Sequence, residues 1–192
     1  MKKYLVILFF GIFATLQIAA GQNRFQMGLI GGLNFSTLEG NTITDYYGIN
    51  AGLLGTIKLT ENKQIGIELL YSQNGEYLSP FYPPVSYGTI RLNHIEIPVH
   101  IDWLLKKEKT DINYTGQLQF GLAYTKLLNH YIEDDRGTNL TDQVLYTDTD
   151  AIVVQGGVSY FFTDQVGINL RATHSLNAAL FWSLSARIVY LL

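Results

Sequence analysis

Residues 91–103, Arg-Leu-Asn-His-Ile-Glu-Ile-Pro-Val-His-Ile-Asp-Trp, split into two sets when read with a period of two. Ile95, Ile97, Val99, Ile101 and Trp103 fall on one face; His94, Glu96, Pro98, His100 and Asp102 fall on the other. Period two belongs to a strand, because successive side chains point to opposite faces. An apolar face backed by a charged face demands a greasy medium on one side and a polar space on the other. A soluble sandwich and a lipid-embedded barrel both meet that demand. The rest of the chain has to decide between them.

The alternation recurs in residues 25–35, about 46–59, 65–73, 113–127, 151–162, 165–173 and 180–192. In 113–127, Tyr114, Leu118, Phe120, Leu122 and Tyr124 oppose Asn113, Thr115, Gln117, Gln119 and Thr125. In 25–35 the pattern has one exception, Ile30, which falls among the polar set. No stretch after residue 21 carries a convincing 3.6 period, and 18 Gly and 13 Tyr with 15% charged residues suit β structure. The expectation is an all-β chain of eight strands.

Residues 1–21 read as a cleaved signal peptide, with Lys2 and Lys3, an apolar core over Leu5–Ala14, and Ala19-Ala20-Gly21 ahead of a cut before Gln22. Residues 22–192 then form one domain. Its formal charge drops from -3 to about -5, which argues against nucleic-acid binding. With no cysteine in the chain, disulfides, thiolate metal sites and a cysteine nucleophile are excluded.

Connections after segments two, four and six are short and polar, whereas residues 38–45, 74–87 and 129–150 are longer. Short turns at one end, long loops at the other and an even strand number match an outer-membrane layout. The aromatic residues agree with it. In up-and-down order, Phe25, Trp103, Tyr114, Tyr160 and Tyr190 fall at one end of the outward face, and Phe35, Tyr47, Tyr71, Tyr124 and Trp182 at the other. Two aromatic girdles around an aliphatic band are what bilayer interfaces select. The expected fold is therefore an eight-stranded antiparallel up-and-down transmembrane β-barrel, touching outer-membrane lipid and exported to the bacterial outer membrane.

Inward, the charged set is Lys58, Glu68, Glu96, Asp102, Arg171 and Arg187, with His94 and His100 beside them. Eight strands leave a lumen that side chains fill, so these charges are expected to pair as a structural ion network. A plugged lumen leaves no room for a substrate, which weighs against a catalytic Glu96 with His94 or His100. Pro98 is expected to mark a bulge that shifts the facing of His100 and Asp102. His130, Glu133, Asp134 and Asp135 read as a solvated loop, and 81–87 as an aromatic, proline-containing loop that packs over the barrel mouth or grips a protein partner. No nucleophile elbow, phosphate loop or zinc signature occurs, and no cofactor is implied.

Three stretches resemble the PorT-like family of outer-membrane β-barrels common in Bacteroidetes: Gly28 to Ser36, Ile67 to Gly75, and Leu92 to Val99. The last is similar to the family's Tyr-Ile-Glu-Ile-Pro pattern, with His94 in place of the tyrosine. The resemblance implies the fold and location, with Glu68 and Glu96 as lumen residues and Pro98 as a bulge residue. A namesake of the family takes part in type IX secretion, a role that fold alone does not transfer. The leading functional expectation is a non-enzymatic structural or interaction protein working through residues 74–87 and 129–150. Two alternatives stay open. One is an outer-membrane lipid-modifying enzyme, hinted at by His174 and Ser175. The other is a soluble lipocalin-like periplasmic barrel with its apolar face inside.

Overall fold

The computed structural model describes residues 24–38, 46–78, 88–105, 116–134, 150–176 and 181–192. Residues 1–21, read above as a signal peptide, lie outside them, as do Tyr114 and the segments 79–87 and 135–149 of the two long connections. The described residues form β1 (Phe25–Leu38), β2 (Tyr46–Thr60), β3 (Lys63–Leu78), β4 (Gly88–Leu105), β5 (Gly116–Asp134), β6 (Asp150–Phe161), β7 (Val166–Ser175) and β8 (Phe181–Leu191). Each strand pairs antiparallel with the next, and β1 closes the barrel on β8. Closure pairs every strand on both sides and so removes the edges of the sheet. All eight strands expected from the alternation are present.

The facing of the side chains decides what kind of barrel this is. Leu122 is 54% exposed and Ile188 62%, whereas Glu68 and Arg171 are each 2% exposed. Apolar side chains point out and charges point in. That excludes the lipocalin-like arrangement, which needs the opposite. Ile30 points inward as its parity dictates, and with Leu54, Leu70, Phe161, Val189 and Leu191 it forms an apolar cluster inside the lumen.

Two expectations need correction. Pro98 marks no bulge. The β3–β4 register is the same on both sides of it, and the ladder merely lapses where Glu68 and Leu69 face Ile97 and Pro98. A residue without an N–H fits a gap in the ladder without an inserted residue. His100 and Asp102 accordingly keep their inward facing, each 1% exposed. The irregularity sits instead between Asn93 and His94, opposite Asn129 and Leu127, so the extra residue is Leu128 on β5.

The second correction concerns strand length. Residues 74–78 and 129–134, read as the starts of loops, continue β3 and β5, and β4 begins at Gly88 to pair with both. β3, β4 and β5 reach 16, 18 and 19 residues, against 10 and 11 for β7 and β8. A tilted strand crosses a bilayer in about 9–11 residues. The surplus stands beyond the barrel rim as a three-stranded extension at the β3–β4 end.

Candidate functional site

The centre of the lumen is organised by Glu68. Its carboxylate accepts two hydrogen bonds from Arg171, Nη2 to Oε1 at 2.6 Å and Nη1 to Oε2 at 2.8 Å. Arg187 Nη1 adds a third at 3.0 Å. Glu68 stands on β3 and the arginines on β7 and β8, so the pairing spans the lumen. Two parallel N–H···O bonds from one guanidinium fix orientation as well as charge. Arg187 is held from behind by Asn169 Oδ1, and Asn169 Nδ2 donates to Gln119 Oε1 at 2.7 Å and Ser159 Oγ at 2.8 Å. Gln155 Oε1 accepts from Arg171 at 3.1 Å.

His100 carries the network to β4. Its Nε2 lies 3.1 Å from Glu68 Oε1, and its Nδ1 lies 2.6 Å from Asp102 Oδ1. Both ring nitrogens face carboxylate oxygens, a setting in which a doubly protonated ring donates to both. Gln64 Nε2 completes Asp102 at 2.8 Å. The ring fits because of its neighbour: a Cβ at Gly66, directly across on β3, would stand 2.0 Å from His100 Cε1. Gly32 and Gly157 likewise stand in register with Arg187 and Arg171, although an added Cβ there would meet backbone first, Ala186 O at 2.2 Å and Leu170 O at 2.7 Å. β1 and β2 join through Asn34, which accepts from Asn50 Nδ2 and donates to Ser72 Oγ at 2.7 Å.

Glu96 shares the interior with both arginines. It receives a hydrogen bond from Ser72 and lines a void of ≈ 10 Å³ together with Arg171 and Arg187, within electrostatic reach of both. Lys58 stands apart from this layer, in a cavity of ≈ 190 Å³ at the mouth near the chain termini, with Arg24, Gln26 and Gln64. The central layer thus holds Glu68, Glu96 and Asp102 against Arg171, Arg187 and the His100 ring. Doubly protonated, His100 supplies the third positive charge expected of Lys58.

Sequence reading missed Gln119, Gln155 and Asn169 as members of the network, and it missed the role of Gly66. A glycine in register with an inward cation was the available signal. The void on the termini side of Glu68 measures ≈ 20 Å³ and the one beside Glu96 ≈ 10 Å³, space for about one water each. The lumen is closed at this level. The hint of outward-facing chemistry also fails, since Ser175 is fully buried while His174, its neighbour in the strand, faces out. Among the aromatic residues of the two expected girdles, Trp103, Tyr160, Tyr190, Tyr47, Tyr124 and Trp182 are exposed on the outer face, while Phe25, Phe35 and Tyr71 are half-buried there. Phe35 packs edge-on against Tyr47, and Trp103 against Phe120.

A closed eight-stranded barrel with an apolar exterior and a sealed, charge-paired interior defines the class of small membrane barrels. The chain belongs to the outer membrane protein beta-barrel domain family, whose model matches residues 17–180. It is similar in fold to Neisserial surface protein A, with TM-score 0.51, 12% identity, and 86% of this chain and 96% of that one covered. It is also similar to Ail, the attachment invasion locus protein of Yersinia pestis, solved with the heparin analogue sucrose octasulfate. There the TM-score is 0.50 at 10% identity, over 88% of this chain and 98% of that one. No curated protein matches the chain.

Proposed function

We propose that this protein is a non-enzymatic outer-membrane barrel that serves as a structural or interaction module through its β3–β4 end, which faces outside the cell. The observation that carries this reading is the cross-lumen network around Glu68. A lumen filled by paired side chains offers no path for a solute and no room for a substrate, so function falls to the surfaces. The most prominent of those is the rim extension bearing 74–87 and 129–150. Residues 1–21 would be removed on export, leaving the N-terminus and the short turns in the periplasm. The exposed aromatics at the two ends would sit at the bilayer interfaces. The PorT-like resemblance at Glu68, Glu96 and Pro98 supports a Bacteroidetes barrel and makes a role accessory to secretion the next one to examine.

The chain has no cysteine, so single thiols can be introduced cleanly. A membrane-impermeant maleimide added to intact cells is expected to label L128C, at the bulge where the extension begins, and to spare D164C at the β6–β7 turn. Labelling of D164C alone would reverse the orientation and sink the proposal. The unboiled protein is expected to run faster on a detergent gel than the boiled one, as a folded barrel does.

The outer face gives a second expected result. Leu122 lies in the aliphatic band of that face. L122R should cost about 2–4 kcal/mol of barrel stability in lipid, the depth-dependent penalty of a lipid-facing cation. Urea titration of the gel shift in vesicles measures it, and an unchanged midpoint would mean that residue does not meet lipid.

A further inference from the structure

The cavity at the mouth near the chain termini differs in kind from the voids deeper in the lumen. At ≈ 190 Å³ it holds on the order of a dozen non-hydrogen atoms, taking about one per 10–15 Å³, whereas each deeper void has room for about one water. It opens at the barrel end that carries Thr163 and Asp164 of the β6–β7 turn. Its floor is Leu104, Phe161 and Leu191, all buried. Phe161 and Leu191 belong to the apolar cluster that fills the lumen behind them. The cavity is therefore a cup, which a molecule can enter from the termini side and cannot pass through.

Two cations stand together on its wall. Lys58 N donates to Arg24 O at 2.7 Å, next to the Gln26–Thr56 pair of the β1–β2 ladder. The two residues thus oppose each other on neighbouring lengths of chain, and both line the cup. Like charges set directly opposite destabilise a strand pair, and an anion between them offsets that repulsion. Arg24 is exposed and Lys58 half-buried, so both can be reached from the open side. Asp164, in the exposed turn, is the one acid among the lining residues and leaves the lining net positive. Gln26, Gln64 and Gln117 add amide side chains that each both donate and accept.

We propose that this cup binds the carboxylate end of a short peptide. The carboxylate sits between Arg24 and Lys58, where the guanidinium can offer it two parallel N–H donors. The glutamine amides meet the peptide groups, and a small aliphatic side chain rests on the floor of Leu104, Phe161 and Leu191. The three features together select this class. An inorganic anion uses the cations and leaves the apolar floor bare. A fatty acid covers the floor but strands the glutamines, and burying a polar group without a partner is costly. A nucleotide is too large for the volume.

The supply of ligand rests on the orientation proposed above, which opens the cup to the periplasm; binding in micelles does not, so the two fail separately. Full-length protein in detergent micelles is titrated with acetyl-alanyl-alanine as the free acid, in its L,L and D,D forms, and with the corresponding C-terminal amides, acetate and inorganic phosphate. Amide NMR shifts at Gln26, Lys58 and Gln117 report binding, and the heat shift on a gel reports folding. Wild type is expected to hold the free acid about tenfold more tightly than the amide, the scale of one lost charge-assisted hydrogen bond. The form preferred, D,D or L,L, distinguishes a cell-wall peptide from a protein tail. R24Q/K58Q should lose the preference for acid over amide; should it not fold, R24Q alone, at an exposed position, carries the same test. Equal affinity of wild type for acid and amide, no shifts at millimolar peptide, or an unchanged preference in the folded variant would overturn the proposal. So would acetate or phosphate binding as tightly as the dipeptide. Surface labelling of D164C on intact cells would instead refute the periplasmic source of the peptide, while the micelle titration still decides the site.

Discussion

Replacing Glu68 with alanine is expected to be among the most damaging single changes the barrel can suffer. The carboxylate is 2% exposed and is the common acceptor of Arg171, Arg187 and His100. Removing it leaves two guanidinium groups and the His100 ring facing one another without their shared carboxylate. Breaking a buried ion pair from one side costs about 3–5 kcal/mol, because the remaining charge stays buried without compensation. E68A should lie at the upper end of that range. E68Q keeps the shape and one acceptor oxygen but not the charge, and should fall between E68A and wild type.

The folded fraction against urea, read from the gel shift in vesicles, measures the loss. The informative control removes all sides together. Replacing Glu68, Arg171 and Arg187 jointly by apolar residues of similar volume should recover much of the loss, since apolar replacement of a complete buried ion cluster is often neutral or better. If E68A unfolds at the same urea concentration as wild type, Glu68 does not hold the lumen together.

Strand number, closure and facing were legible because the same two-fold alternation recurs eight times and each repeat independently places its apolar set outward. Leu122 among Gln119 and Thr125, or Ile188 beside Arg187, could have only one facing in a barrel. Inside the lumen, legibility fell. Parity reports that Glu68, Glu96, Arg171 and Arg187 share an interior, but pairing depends on shear, which staggers the strands along the axis and is not written in any one of them. Glu96 does share a level of the interior with both arginines, yet it is Glu68 that accepts hydrogen bonds from both. Pro98 misled because proline is compatible with two kinds of ladder defect, an inserted residue and a missing bond, and sequence does not separate them. The rim extension was hidden by composition. Asn74, Gly75 and Glu76 read as a loop in isolation and become a strand only because β4 lies alongside.

His100 and Gly66 give the second large effect, and their coupling distinguishes a fitted arrangement from a merely buried one. H100A strands Asp102, whose remaining described side-chain donor is Gln64, and strips Glu68 of one partner. A loss of about 3–5 kcal/mol is expected, as for other one-sided removals from a buried charge network. G66A attacks the same contact from across the strand pair. Its new methyl would stand 2.0 Å from His100 Cε1 and 2.5 Å from Nε2, and the ring cannot swing away without releasing Asp102 or Glu68. Forcing one methyl into a filled site costs about 1–3 kcal/mol. Once the imidazole is gone, that methyl has space to occupy. The double variant G66A/H100A should therefore lose no more than H100A alone, leaving a coupling of about 1–3 kcal/mol, well above the few tenths seen for independent sites. Urea midpoints of the four proteins in one vesicle preparation give the cycle. Strict additivity would mean that Gly66 is small for some reason other than the ring, and the rule that glycines in register mark inward cations would lose its clearest case.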